Sequence, residues 1–233
     1  MTQKEKIKIW DDSICSKHVI NLVHGINNII TKNGIEKLNY VDIGANVGKV
    51  YDLLSQRIEI EKVWMFEASP ILFSYLKDKY SNNTKVKLEN FAVDNSTGIV
   101  HFDESSMLYQ FESNVDEYNF GLSKIMHTNL SQEVNSIKIS DYFNDNPEIF
   151  NSVNFIKIDT ESVDFNILVD LTNVIDKFRK KPIIEFEVNY MNAGFTFDTA
   201  QMVLDEYIKF GYNKLFLNEC HGDGLLIPEN III

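Results

Sequence analysis

The chain has 233 residues, 44% hydrophobic and 24% charged, the composition of a globular protein with one sizeable core. Its formal net charge of -12 repels a phosphate backbone, so no nucleic-acid partner is expected. No apolar run approaches the roughly 20 residues of a membrane span, and the only cysteines, Cys15 and Cys220, stand outside any CxxC pattern.

The N-terminal MTQKEKIKIW lacks the apolar segment of a secretory signal, so a reducing cytoplasm is the expected location, and Lys4, Lys6 and Lys8 read as a solvated terminus. Next, CSKHVINLVHGINNIITKNG places Val19, Leu22, Val23, Ile26, Ile29 and Ile30 at spacings of three and four, one apolar helical face closed by Asn33 and Gly34. Residues 1–36 form a helical extension of a single domain over 1–233, expected to lie over the crevice as a lid or to form an interface. Its His18 and His24 receive no catalytic role.

The period then changes. LNYVDIG is a short apolar run with a β-branched core, as expected of a strand buried on both faces. A helix over 49–56, a strand VWMFE at 63–67, a helix from Pro70 to Tyr80 and a third strand VKLENFAV at 86–93 follow. Such alternation marks βαβ crossovers and a doubly wound parallel sheet. GIVHF (98–102) and NSIKIS (135–140) read as strands with no long helix between them. The segment over 103–134 is a long insert of a kind that is usually functional or disordered, and it is expected near the acceptor site. Its Tyr109, Phe111, Tyr118, Phe120 and His127 either stack on an acceptor or pin the insert to the domain. The alternation resumes with VNFIKID (153–159), a helix over 163–171, a basic KFRKK (177–181) read as a helix end, PIIEFEV (182–188), a helix over 199–210 and the pair YNKLFL and GLLIP.

In VDIGANVGKV, Asp42 closes the first strand and Gly44 and Gly48 follow as DxGxxxG. Glycines there let the backbone turn tightly against a ligand, although GxGxxG is absent. Glu67 ends the next strand about 20 residues on, where a carboxylate accepts hydrogen bonds from both hydroxyls of a ribose. ENFAV lies at the carboxyl edge of the same sheet, and the small Ala92 lets a ring pack close.

In order, VDIGANVGK, VWMFEASP, LENFAVDNSTGIVHF, IKISDYF and VNFIKIDTESVDFNIL resemble the successive motifs of the FkbM family of S-adenosylmethionine-dependent methyltransferases, from about Tyr40 to Leu171. The resemblance implies a class I, Rossmann-like α/β fold, with a seven-stranded sheet of order 3-2-1-4-5-7-6 whose last strand is antiparallel. It also implies S-adenosyl-L-methionine as cofactor, S-adenosyl-L-homocysteine as product, and O-methylation of sugar or polyketide-like hydroxyls. The cofactor-binding set is Asp42, Gly44, Asn46, Gly48, Glu67, Ala68, Asn90 and Ala92. Two departures stand out: Ala68 and Ser69 precede Pro70 where the family has FEP, and Ser162 replaces the glycine of DxEG.

Methyl transfer to a hydroxyl needs an aligned oxygen and a base to take its proton. Asp159 closes the fourth strand facing the crevice, and Lys157 points to the same side by the two-residue period. A buried lysine is costly unless paired, and Asp159 or Glu161 can pair with it. Asp159 or Glu161 is then the base with Lys157 orienting it, or the group is a structural ion pair. Glu187 ends the fifth strand beside Asn189, and Glu219, His221 and Asp223 lie in the last loop, where a histidine suits proton transfer near neutrality, although a lone loop histidine is more often incidental. Asp159, Glu187 and Asn189 also suit Mg²⁺, an assignment not preferred over a metal-free site. The expected function is O-methylation of a sugar hydroxyl of a glycan or glycoconjugate. The alternatives are methylation of another small molecule or a protein, and a non-catalytic S-adenosylmethionine-binding module.

Overall fold

A computed structural model describes residues 2–13, 17–103, 124–125, 132–188, 194–216 and 223–232. Helices α1 (Gln3–Ser13) and α2 (Lys17–Lys32) precede β1 (Lys37–Ile43), α3 (Lys49–Ser55), β2 (Glu59–Phe66), α4 (Pro70–Lys79) and β3 (Val86–Glu89). Four short strands follow: β4 (Ala92–Val93), β5 (Gly98–Asp103), β6 (Lys124–Ile125) and β7 (Gln132–Ile137). The chain continues with α5 (Ile139–Asp145), α6 (Glu148–Ser152), β8 (Phe155–Ile158), α7 (Asp164–Leu171), β9 (Ile183–Glu187), α8 (Phe197–Lys209), β10 (Tyr212–Phe216) and β11 (Asp223–Pro228).

The main sheet runs β3-β2-β1-β8-β9-β11-β10. Its members pair in parallel except β11, which is antiparallel to both β9 and β10. Counted in chain order this is 3-2-1-4-5-7-6 with the last strand reversed, as expected. Because successive side chains of a strand point to opposite faces, β1 sends Val41 and Ile43 into one core and Leu38 and Tyr40 into the other. α5, α7 and α8 cover the first face, and α2 and α3 cover the second.

Helix α2 ends as its sequence dictates. Gly34 adopts φ +62°, its N–H donates to Thr31 O and that of Ile35 to Ile30 O, the paired bonds of a Schellman ending. Leu22, Val23, Ile26, Ile29 and Ile30 are buried in the second core, so α2 is a layer of the domain and not a lid.

Other expectations change as well. Residues 86–93 do not form one strand: β3 stops at Glu89, and Ala92–Val93 pairs with β7 in a second sheet of order β4-β7-β5-β6. NSIKIS divides between β7 and α5, because Ile139, Tyr142 and Phe143 share a helical spacing that buries all three. The N-terminus is a docked helix with Lys6, Ile7, Trp10 and Asp11 buried, while Lys4 and Lys8 stay solvated as expected. KFRKK starts at the last residue of a single 3₁₀ turn, Ile175–Lys177, and not at the end of a longer helix. Among the described residues no helix is long and apolar enough to cross a membrane.

Candidate functional site

Three strand ends are stitched together at the carboxyl edge of the sheet. The N–H groups of Gly44 and Ala45 both donate to Phe66 O at 3.0 Å, and that of Asp159 donates to Ile43 O at 3.0 Å. Gly44 has φ +79°, and a Cβ there would lie 1.9 Å from the Asp159 carbonyl oxygen. Only glycine lets the β1 turn cross that backbone. Gly48 has φ +77°, and its Cβ would meet the Tyr80 hydroxyl at 2.3 Å.

Beside this seam lies a cleft that is partly open to solvent. Gly44, Asn46, Glu67, Ala68 and Ala92 line it, together with Asp159 and Glu161 from the far side. Leu72, Phe91, Val93, Phe102 and Val163 supply its apolar wall.

Glu67, just past β2, is buried and organises the near end. Its Oε2 accepts from Asn46 N–H at 2.7 Å and its Oε1 from Ser69 N–H at 2.9 Å. A carboxylate has about four acceptor positions, and these two bonds tie one oxygen to the β1 turn and the other to the start of α4. Asn90 Nδ2 donates to the carbonyls of Glu67 and Ala68 and holds the strand end from behind. Asn46 has φ +54°, a conformation asparagine tolerates better than most residues, and its Oδ1 is buried with no partner.

At the far end, strand register sets Asp42 beside Lys157 and Lys157 beside Glu185, one buried row across β1, β8 and β9. Lys157 Nζ stands 3.3 Å from Asp42 Oδ1 and 3.3 Å from Asp159 Oδ2, and donates to Gly44 O at 3.1 Å. Burial lowers the pKa of Lys157, but the charges of Asp159, Asp42 and Glu185 overcome that and hold the ammonium protonated. Burial raises Asp42, with Lys157 opposing, and burial and Asp223 push Glu185 well up. Asp159 is the member that reaches solvent, with 41% of its side chain exposed.

The turn after β8 is braced by Asp164, whose Oδ2 accepts from Thr160 Oγ1 at 2.6 Å, while Thr160 Oγ1 accepts from Val163 N–H at 3.2 Å. Glu161 is held at φ +65° within it, where the family has a residue before glycine. Burial raises Asp164 to about 6 against those hydrogen bonds. Glu187 sits beside this turn, and burial followed by the charges of Asp159, Glu161, Asp164 and Asp223 pushes it up to about 8.

Five of the eight expected cofactor residues therefore line the cleft, while Asp42, Gly48 and Asn90 support it from behind. Asp159 and Glu161 line it, and Lys157 and Glu187 stand next to it. His221, Asn189, Glu219 and the aromatic residues of the insert lie outside the described residues. Among the described residues no group of three or more His, Cys, Asp or Glu is arranged to hold a metal ion. Sequence reasoning missed Leu72, Phe91, Phe102 and Thr160. Phe91 lay within a quoted motif, but nothing in GIVHF separates the cleft-facing Phe102 from an ordinary strand residue.

Residues 42–213 match the methyltransferase FkbM domain. The chain belongs to the FkbM methyltransferase family. No curated protein compared with it matches in sequence. Solved structures similar to this FkbM chain include methyltransferase FkbM from Methylobacillus flagellatus KT, at a TM-score of 0.53 and 16% identity over 82% of this chain. The match spans 44% of that protein, less than half of its length. The METTL16 MTase domain matches at 0.52 and 11% identity, over 90% of this chain and 67% of the other. The human methyltransferase 10 domain containing protein matches at 0.50 and 9%, over 92% and 84%. At these identities the likeness is one of fold, the class I Rossmann-like methyltransferase fold.

Proposed function

We propose that this FkbM methyltransferase is an S-adenosylmethionine-dependent O-methyltransferase of a sugar hydroxyl on a glycan or glycoconjugate. The observation that carries the cofactor assignment is the convergence of Gly44, Asn46, Glu67, Ala68 and Ala92 on one cleft that Asp159 and Glu161 close. The residues present fit that ligand. Glu67 places a carboxylate on the cleft wall, the group that receives ribose hydroxyls, and the partnerless buried Asn46 Oδ1 suits an ammonium. Ala92, Leu72, Phe91 and Phe102 offer an apolar slot for a planar base.

When bound, S-adenosylmethionine supplies a methyl group activated by its sulfonium. Asp159, partly exposed on the cleft wall and held by Lys157, takes the proton of the acceptor hydroxyl on its carboxylate, a role worth roughly 10²- to 10⁴-fold. Lys157 is a positioning residue, because its donors are turned to Asp42, Asp159 and Gly44 O. The sugar assignment rests on the family resemblance, the insert over 103–134 and an overall charge that disfavours polyanionic acceptors. A reducing cytoplasm completes the proposal, with Cys15 and Cys220 as thiols.

Incubation with labelled S-adenosylmethionine and a panel of saccharides, peptides and RNA, read by mass, tests it. A single added methyl on a saccharide is expected, lost in Asp159→Asn while S-adenosylhomocysteine binding persists. Transfer to peptide or RNA alone overturns the acceptor class, and full activity in Asp159→Asn moves the base to Glu161, Glu187 or His221.

A further inference from the structure

The glycine turn is gripped from behind by a helix that lies before the family match. Lys79, at the end of α4, directs its three donors to Asp11 Oδ2 of α1 at 2.6 Å, Asp52 Oδ2 of α3 at 2.6 Å and Val47 O of the turn at 2.7 Å. An ammonium has three N–H groups, so all are in use. Tyr75 donates to the same Asp11 Oδ2 at 2.8 Å. Lys49, the first residue of α3, donates to Asp11 O at 2.6 Å, where the last turn of α1 leaves carbonyls without helical partners.

Apolar contacts run in parallel. Ile7 and Trp10 of α1 form one buried cluster with Val47, Leu72 and Tyr75. Val47 follows the cleft residue Asn46, and Leu72 is itself a cleft residue. The turn needs such support, because left-handed backbone at a residue other than glycine is strained and persists only where its surroundings hold it, and Asn46 is in that state.

We infer that α1 is a clamp on the cofactor turn, with Asp11 and Lys79 as positioning residues that set cofactor affinity without touching the cofactor. Residues 3–13 lie outside the residues 42–213 that match the family. The inference rests on the cofactor assignment proposed above.

Calorimetry of S-adenosylhomocysteine binding to the full chain, compared across wild type, Asp11→Asn, Lys79→Met and the exposed-surface control Lys8→Ala, tests it at a temperature where melting curves show every variant folded. Asp11→Asn and Lys79→Met are expected to bind about ten-fold more weakly, and Lys8→Ala like wild type. Amide hydrogen exchange supplies a readout free of ligand. The N–H groups of Asn46 and Gly48, bonded to Glu67 Oε2 and Ala45 O, are expected to exchange faster in Asp11→Asn than in wild type. Tight wild-type binding with equal affinity and exchange in both variants overturns the clamp alone, even if the variants melt lower. A wild-type chain that does not bind S-adenosylhomocysteine overturns the cofactor assignment and the clamp with it.

Discussion

Glu67 Oε2 accepts a 2.7 Å hydrogen bond from the backbone N–H of Asn46, so the carboxylate at the end of one strand holds the left-handed residue of the turn after the neighbouring strand. A carboxylate that also receives a ligand thereby ties turn shape to occupancy. Glu67→Ala removes both, and hydrogen bonds to a charged group are worth about 1.5–3 kcal/mol each. S-adenosylhomocysteine affinity should fall at least roughly ten-fold by calorimetry, and undiminished affinity would remove Glu67 from the site.

Gly44→Ala is expected to be a folding defect before it is a binding defect. The new Cβ meets backbone, the Asp159 carbonyl at 1.9 Å, and the required φ of +79° is unfavourable for alanine. A loss of about 3 kcal/mol should lower the melting temperature by roughly 6–12 °C at this chain length. A wild-type melting curve would show that the β1 and β8 loops separate at no cost.

Lys157→Met strands Asp42 and Glu185 in the core without their cation. Removing one partner of a buried pair costs about 3–5 kcal/mol, which chemical denaturation should register. Adding Asp42→Asn should recover part of that loss, since a neutral amide no longer needs the ammonium. If the double variant is as unstable as the sum of its parts, the pair is not coupled as the 3.3 Å separation implies.

Glu187 makes stability depend on pH. Its carboxyl is raised from an ordinary 4.5 to about 8 on folding, so between those values the folded state holds a proton that the unfolded state has lost. The contribution is fully present below 4.5 and disappears as pH rises through about 8. Melting temperatures of Glu187→Gln should therefore decline less with pH over that window than those of wild type. Parallel curves would mean that Glu187 is solvated as an ordinary carboxylate.

Local pattern determined a great deal here. The change from three-and-four spacing in α2 to the apolar run of β1, the glycines of DxGxxxG and the strand-end acids Glu67 and Asp159 are features of contiguous residues. Each leaves its period or its punctuation in the chain, and order alone then implied the doubly wound sheet and its crevice. Tertiary structure decided what no neighbouring residue encodes. Asp42 reads as a ligand-facing acid, yet lateral register against β8 and β9 puts it in a buried row with Lys157 and Glu185. Phe102 reaches the cleft only because residues 92–93 leave the main sheet to pair with β7, next to β5. Asp11 is an unremarkable acid until α1 docks against Val47 and Lys79. In each case the deciding contact joins segments far apart in the chain, and its free energy depends on packing and desolvation at a meeting point that exists only after the sheet has formed.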